Sequence, residues 1–402
     1  MALASMVGMA QEIPPPTTAP PLTLDMALTQ ALNQHPRLRA AQRGLEASEG
    51  AMVQSRARPN PELAYSQEDT RSSTRSSTVQ WNQTLEVGGK RAARMRAAEK
   101  GRDLSQSELD AARANLLADV RMAFLGLLTA QQRSALAAQT LDIARNAREA
   151  AAKRVVAGKA APLEENRARV AEAGAQLEQS QAQANQRVAR KQLQSLMGET
   201  PLAFGEAQGA LDALPAVPDS QTLEQQLEQS PALQQARATV EQSRATADLE
   251  RAKRLPDPTV SLGVKRAQDT ARNQLVFGVS IPLPLLDSNR GNQLQALRLA
   301  DQAEEQLQAT RLELQAQLYA ARQALEASRQ QAALLSTQVL PTAQAAYEAA
   351  SKGFALGKFG YLDVLDAQRS WFDVRTQYLD QLLATHRAAA DIDRLLGNAP
   401  HP

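Results

Sequence analysis

The chain contains no cysteine, so disulfides, thiolate metal centres, cysteine nucleophiles and a lipid-bearing cysteine have no residue on which to form. Aromatics make up only 3% of the 402 residues. The three histidines, His35, His386 and His401, are scattered, and a stable metal site needs clustered donors. No metal ligand set and no cofactor are expected. Charge of neither sign dominates, with 45 Lys+Arg against 43 Asp+Glu, which argues against nucleic acid as a partner because that needs a concentrated basic face. Long apolar runs are missing as well, so a transmembrane helix of about 18 residues is excluded. That absence leaves a membrane β-barrel open, because its strands need only about ten residues of alternating polarity. H-E-x-x-H, G-x-S-x-G and G-x-x-x-x-G-K-[ST] are all absent. Gly158-Lys159 and Gly357-Lys358 therefore read as turns and not as phosphate loops, and no enzyme is expected.

What is present is a great deal of Ala, Gln, Leu, Glu and Arg, a composition suited to extended helices. Residues 1–10 are small and apolar and end in Gly8-Met9-Ala10 before Gln11. They read either as the remnant of a secretory signal without its basic segment or as an unstructured start. The stretch 13–21, IPPPTTAPP, is a stiff polyproline-type leader, so 1–21 stands apart from the remainder of the chain.

Repetition organises the rest. Pro36 and Leu38 in ALNQHPRLRAAQ correspond to Pro231 and Leu233 in QLEQSPALQQAR. Further along, Lys153, Gly158, Lys159, Leu163, Ala168, Leu196 and Gly198 meet Lys352, Gly357, Lys358, Leu362, Ala367, Leu395 and Gly397 at one constant spacing. Two copies of one unit, 22–199 and 221–397, are joined by a linker rich in Gly and Pro at 200–220, and 398–402 is a tail.

Each copy has the same internal order. A short helix (23–34; 221–229) passes through a proline into a second amphipathic helix (37–57; 232–254). Pro59 and Pro61, or Pro256 and Pro258, stop it. Two alternating segments come next in each copy, at 60–70 and 78–87, then at 258–267 and 274–283. Leu63, Tyr65, Val79, Trp81, Val260, Leu262, Val264, Leu275, Phe277 and Val279 all fall on the apolar beat. Period two with one apolar face marks strands. Then comes a proline-free helical pattern, 90–157, of order 100 Å at about 1.5 Å per residue. Its counterpart, 292–355, holds one proline, Pro341. After each Gly-Lys turn a return helix runs back, 162–197 and 361–396.

Helices this long cannot bury their stripes in a compact core and must pack side by side, within or between chains. Four strands are also too few to close a barrel, and an open sheet leaves unpaired edges in lipid. Both difficulties vanish if three chains assemble a twelve-stranded barrel over a shared helical tube.

The repeat, this element order and several strings resemble the TolC-type family of outer-membrane efflux channels over about 22–397. Trp81-Asn82-Gln83-Thr84-Leu85-Glu86-Val87-Gly88-Gly89-Lys90-Arg91 is similar to the strand-to-helix junction of the heavy-metal branch, which works with cobalt–zinc–cadmium-type resistance-nodulation-division pumps. Leu362-Asp363-Val364-Leu365-Asp366-Ala367 resembles the segment where acidic side chains ring the periplasmic opening. The resemblance implies a mainly α protein with a small β part, a homotrimer in outer-membrane lipid with a helical tunnel in the periplasm. It also implies a periplasmic adaptor and an inner-membrane pump as partners, and passive conduction of divalent metal ions. Drug export, type I protein secretion and a soluble coiled-coil scaffold are the alternatives. An Arg and a Tyr that can latch the closed tip in relatives have no counterpart in the stretch 353–359.

Several residues stand out as candidates. Asp363 and Asp366 are either a gate ring facing the pore, favouring cations, or simple helix-start carboxylates. Gly158, Lys159, Gly357 and Lys358 form the adaptor-docking tips. Tyr65, Trp81 and Phe277 are lipid-facing or interfacial anchors, or ordinary packing under a loop.

Overall fold

The computed structural model describes residues 20–198 and 204–398. The signal reading, the leader up to residue 19 and His401 lie outside the described residues. In the first copy the elements are α1 (Leu24–Gln34), α2 (Pro36–Arg56), β1 (Glu62–Glu68), β2 (Ser76–Thr84), α3 (Lys90–Val156) and α4 (Pro162–Leu196). The second contains α5 (Ser220–Leu227), α6 (Pro231–Ala252), β3 (Thr259–Ala267), β4 (Arg272–Ser280), α7 (Arg290–Leu334), a π-helical turn (Leu335–Val339), α8 (Leu340–Ala355) and α9 (Tyr361–Leu396).

Local chemistry sets these boundaries. Pro36 and Pro231 open their helices at the first position, where no N–H is needed. The residue before each supplies a cap: His35 Nδ1 accepts from Arg37 N at 3.2 Å, and Ser230 Oγ accepts from Leu233 N at 3.4 Å. β1 is shorter than its alternating pattern because Pro61 cannot donate to the ladder and Asp69 turns into the left-handed region at φ 67°. β2 stops at Thr84 because the next residue in register is Pro258, which accepts from Leu85 N at 2.8 Å but has no N–H to return. The π turn lies directly ahead of Pro341, whose missing N–H breaks the regular pattern, and the widened turn absorbs the defect. Without a proline, α3 runs 67 residues uninterrupted.

The strands form one antiparallel sheet in the order β1-β2-β3-β4, so the hairpins of the two copies lie side by side. Register aligns Leu63 with Trp81, Trp81 with Leu262, and Leu262 with Phe277. Tyr65, Val79, Val264 and Leu275 make a second apolar row on that face. The other face carries Thr78, Gln80, Asn82, Ser261 and Lys265, with Lys265 Nζ 2.6 Å from Glu68 Oε2.

Below the sheet, α3 packs along α2, α4, α6 and α9, and α7 along α6 and α9. The core is concentrated in a collar about halfway along the long helices. There Leu22, Leu28 and Ala31 fill the space between α3 (Val120, Phe124, Leu127) and Leu193, Met197 and Leu382. The second copy repeats the plug: Leu223 and Leu227 of α5 pack with Leu314, Leu318, Leu325, Ile392 and Leu396. The stretch joining the copies belts this collar. Leu22 bridges Ala207 in parallel, Arg190 Nη1 donates to Phe204 O at 3.1 Å, and Arg329 Nη1 donates to Pro215 O at 2.8 Å.

Candidate channel tip and membrane face

Both long helices end in the same way, for the same physical reason. Gly158 and Gly357 sit in the left-handed region, at φ 67° and 74°, a conformation that costs any residue with a Cβ. The next backbone N–H then closes back over the helix end: Lys159 N donates to Arg154 O at 2.9 Å, and Lys358 N to Gly353 O at 2.8 Å. Together with Gly158 N to Val155 O and Gly357 N to Phe354 O, both at 3.0 Å, this is a Schellman closure at each tip. A groove of about 800 Å³ is lined by Lys159 from one turn and by Leu356 and Gly357 from the other, so the two tips lie alongside.

The tips differ in what fills them. At the second, Phe359 folds over Gly353 so closely that a Cβ there would stand 2.1 Å from the ring. The guanidinium of Arg154 sits 4.4 Å above the Phe354 ring, and the Phe354 and Tyr361 rings are 5.8 Å apart. The Tyr361 hydroxyl is buried with no hydrogen-bond partner, and burial raises its pKa above the ordinary phenol value. Sequence pattern held no warning of this aromatic cluster, since Phe354, Phe359 and Tyr361 match non-aromatic positions in the first copy.

Asp363 and Asp366 are both exposed and lie one turn apart on α9. They are not equivalent. Asp363 Oδ2 accepts from Gly360 N at 2.9 Å, satisfying the N-cap donor at the start of α9, so it carries a helix-start function in any case. Asp366 makes no hydrogen bond or ion pair among the described residues and opens onto a groove of about 730 Å³ between α4 and α9. Arg167 and Arg369 line the same groove. Within one chain, then, the two carboxylates are matched by two guanidiniums; Arg369, one further turn along from Asp366, was legible only as i+3 spacing.

The two described histidines have structural employment. His35 caps α2, and the ring of His386 meets Leu211 O at 2.8 Å in the collar, where burial lowers its pKa. Tyr65, Trp81 and Phe277, by contrast, come together on one face of the sheet, with no helix or loop over them among the described residues: Trp81 is 45% exposed and Phe277 71%.

The family model for outer membrane efflux proteins matches residues 27–199 and again 222–398. The chain belongs to that family. Its two matched stretches are the two copies of the repeat. Among efflux-family relatives, the cobalt-zinc-cadmium resistance protein CzcC of Cupriavidus metallidurans is 46% identical over 383 residues, covering 95% of this chain and 92% of that protein. The nickel-cobalt-cadmium resistance protein NccC of Alcaligenes xylosoxydans xylosoxydans is 28% identical over 304 residues, 74% of this chain and 68% of that one. The fold matches that of a Campylobacter jejuni outer membrane channel, CmeC, at a TM-score of 0.79 and 16% identity, over 94% of this chain and 86% of the other. A membrane protein from Pseudomonas aeruginosa superposes at 0.81 with 21% identity, covering 95% and 92%. The chain is thus an outer-membrane efflux channel protein that extends into the periplasm.

Proposed function

We propose that three copies of the chain close one twelve-stranded barrel and one helical tunnel, and that this channel passively releases divalent metal cations delivered by a periplasmic adaptor and an inner-membrane pump of the resistance-nodulation-division class. One observation carries the reading: the sheet has four strands, an exposed apolar face, and two free edges, β1 and β4. In lipid, unpaired edge groups are prohibitively costly, and antiparallel pairing of β4 with β1 of the next copy removes them all. Leu163, Val170 and Leu177, exposed and seven apart along α4, give a heptad seam for lateral contact in the tunnel. Cobalt, zinc and cadmium are inferred as cargo from the name of the 46% identical relative.

In this assembly the polar sheet face lines the pore, and Tyr65, Trp81 and Phe277 face lipid. Gly158, Lys159, Gly357 and Lys358 present a ring of turns to the adaptor. Asp363 and Asp366 ring the periplasmic opening, with Asp366 carrying the free charge. The test has two parts. The detergent-extracted protein should migrate as a heat-labile trimer, and Phe277→Arg should weaken it by roughly 2–4 kcal/mol if that position lies near the bilayer midplane; a soluble monomer would overturn the assembly. Deletion should sensitise cells to Zn²⁺, Co²⁺ or Cd²⁺ more than to bulky drugs, and the opposite order would favour drug export.

A further inference from the structure

The two copies leave the membrane differently. In the first, the junction between β2 and α3 is tied to protein. Leu85 N donates to Pro258 O at 2.8 Å, Val87 N donates to Asp257 Oδ1 at 3.0 Å, and Lys90 Nζ pairs with Asp257 Oδ2 at 2.8 Å. Gly88 lies against Leu255, so closely that a Cβ would stand 2.6 Å from its methyl group.

In the second copy the junction, 281–289, is longer and stands clear of the protein. Ile281, Leu283, Leu285 and Leu286 are all exposed, Leu286 completely. Ile281, Leu283 and Leu285 continue the beat of Leu275, Phe277 and Val279 past the end of β4, and Leu286 adds a further apolar side chain at the turn that ends it. The prolines at 282 and 284 have no N–H, and the N–H of Leu285 is spent on Leu283 O at 2.9 Å in a tight turn. Few free backbone donors therefore accompany the leucines, which lowers the cost of placing irregular backbone in an apolar interface. Polar anchoring resumes at once beyond the leucines: Asn289 Nδ2 donates to Glu250 O at 3.0 Å. That bond brings the start of α7 against the end of α6, where Arg254 and Arg290 are exposed and unpaired among the described residues.

We infer that 281–286 is a membrane anchor seated in the periplasmic leaflet, its leucines among the acyl chains and Arg254 and Arg290 at the level of the phospholipid phosphates. The inference rests on the lipid-facing reading of the sheet. Its occupant is lipid because Ile281, Leu283 and Leu285 extend the lipid-facing row and the segment lies at the sheet's helix-side end, which in an outer-membrane protein with periplasmic helices is the inner leaflet. Leucine beside arginine is also the pairing expected at an anionic interface.

The absence of native cysteine allows single nitroxide labels without a background. Labels at Leu286→Cys, Phe277→Cys and Val87→Cys would be compared in the assembled channel, in vesicles of phosphatidylethanolamine and phosphatidylglycerol, by collision with oxygen and with a water-soluble nickel chelate. The expected result is a shift at 286 towards oxygen over nickel, shallower than at 277 and absent at 87. Nickel access at 286 with lipid exposure at 277 would overturn the anchor and leave the barrel standing. Nickel access at both would overturn the barrel reading and the anchor with it. An immobile label at 286 shielded from both probes would assign the segment to a neighbouring copy and also overturn the anchor.

Discussion

The collar and the tip of the tunnel are built from the same helices by different means. In the collar, α3 and α9 are held apart by bulky Leu, Phe and Met side chains, plugged by α1 and α5, and belted by the stretch between the copies. A partly buried ion pair, Arg121 with Asp393, joins α3 of one copy to α9 of the other. Towards the tip the core thins to Leu141, Ala144, Ala151, Ala168 and Ala175, with Tyr361 and Leu365 at the end. Alanine lets helices approach closely but buries little apolar area, at about 25 cal/mol per Å². The collar is thus where the fold is secured, and the tip is where reshaping the tunnel costs least.

Substitutions can break or sharpen that contrast. The largest effect is expected in the collar: Leu127→Ala or Leu382→Ala, both fully buried, should cost about 2–5 kcal/mol. Ala151→Gly at the tip should cost only about 1 kcal/mol. Denaturant unfolding in detergent checks both, and equal losses would erase the distinction. Next comes Arg121→Met, expected to cost about 1–3 kcal/mol by depriving Asp393 of this charged partner beside the collar. Adding Asp393→Leu should recover much of it; no recovery would mean that the pair is not what couples the copies.

A smaller effect belongs to the turns. Gly158→Ala meets open space, so only the left-handed backbone is penalised, by about 1–2 kcal/mol. Assembly should survive while adaptor-dependent efflux falls, and unchanged efflux would detach the turns from docking. The smallest effect is the pH response of the collar. Burial holds His386 below its ordinary value of 6.5, so the folded state favours the neutral ring. As pH falls below about 6.5 the unfolded chain takes up that proton first, and stability declines. His386→Gln should flatten the decline, and an unaltered pH profile would remove His386 from it.

Much of this architecture is legible in the sequence because it is written in periodicity and in punctuation. Two alternating segments per copy specify strands, prolines mark helix starts and stops, and Gly-Lys marks each return. The expectation of a plain linker between the copies was less informative, because the chain there binds through backbone carbonyls. Phe204 O, Leu211 O and Pro215 O accept from Arg190, His386 and Arg329, and any residue type supplies such a carbonyl. At the tip, the spacing of Asp363 and Asp366 put both on one face, yet not that one caps a helix while the other stays free.

By itself the sequence determined the duplicated unit, the element order and the need for association, since helices of this length and four strands with one apolar face cannot satisfy themselves in a single chain. Only the tertiary structure decided that β2 pairs with β3 across the copies, that the collar carries the core, that Arg167 and Arg369 share a groove with the aspartates, and that the second junction runs free while the first is tied. The reason is physical. Periodicity fixes which face of an element is apolar, whereas the neighbour that covers it, or leaves it bare, is set by residues far apart in the chain.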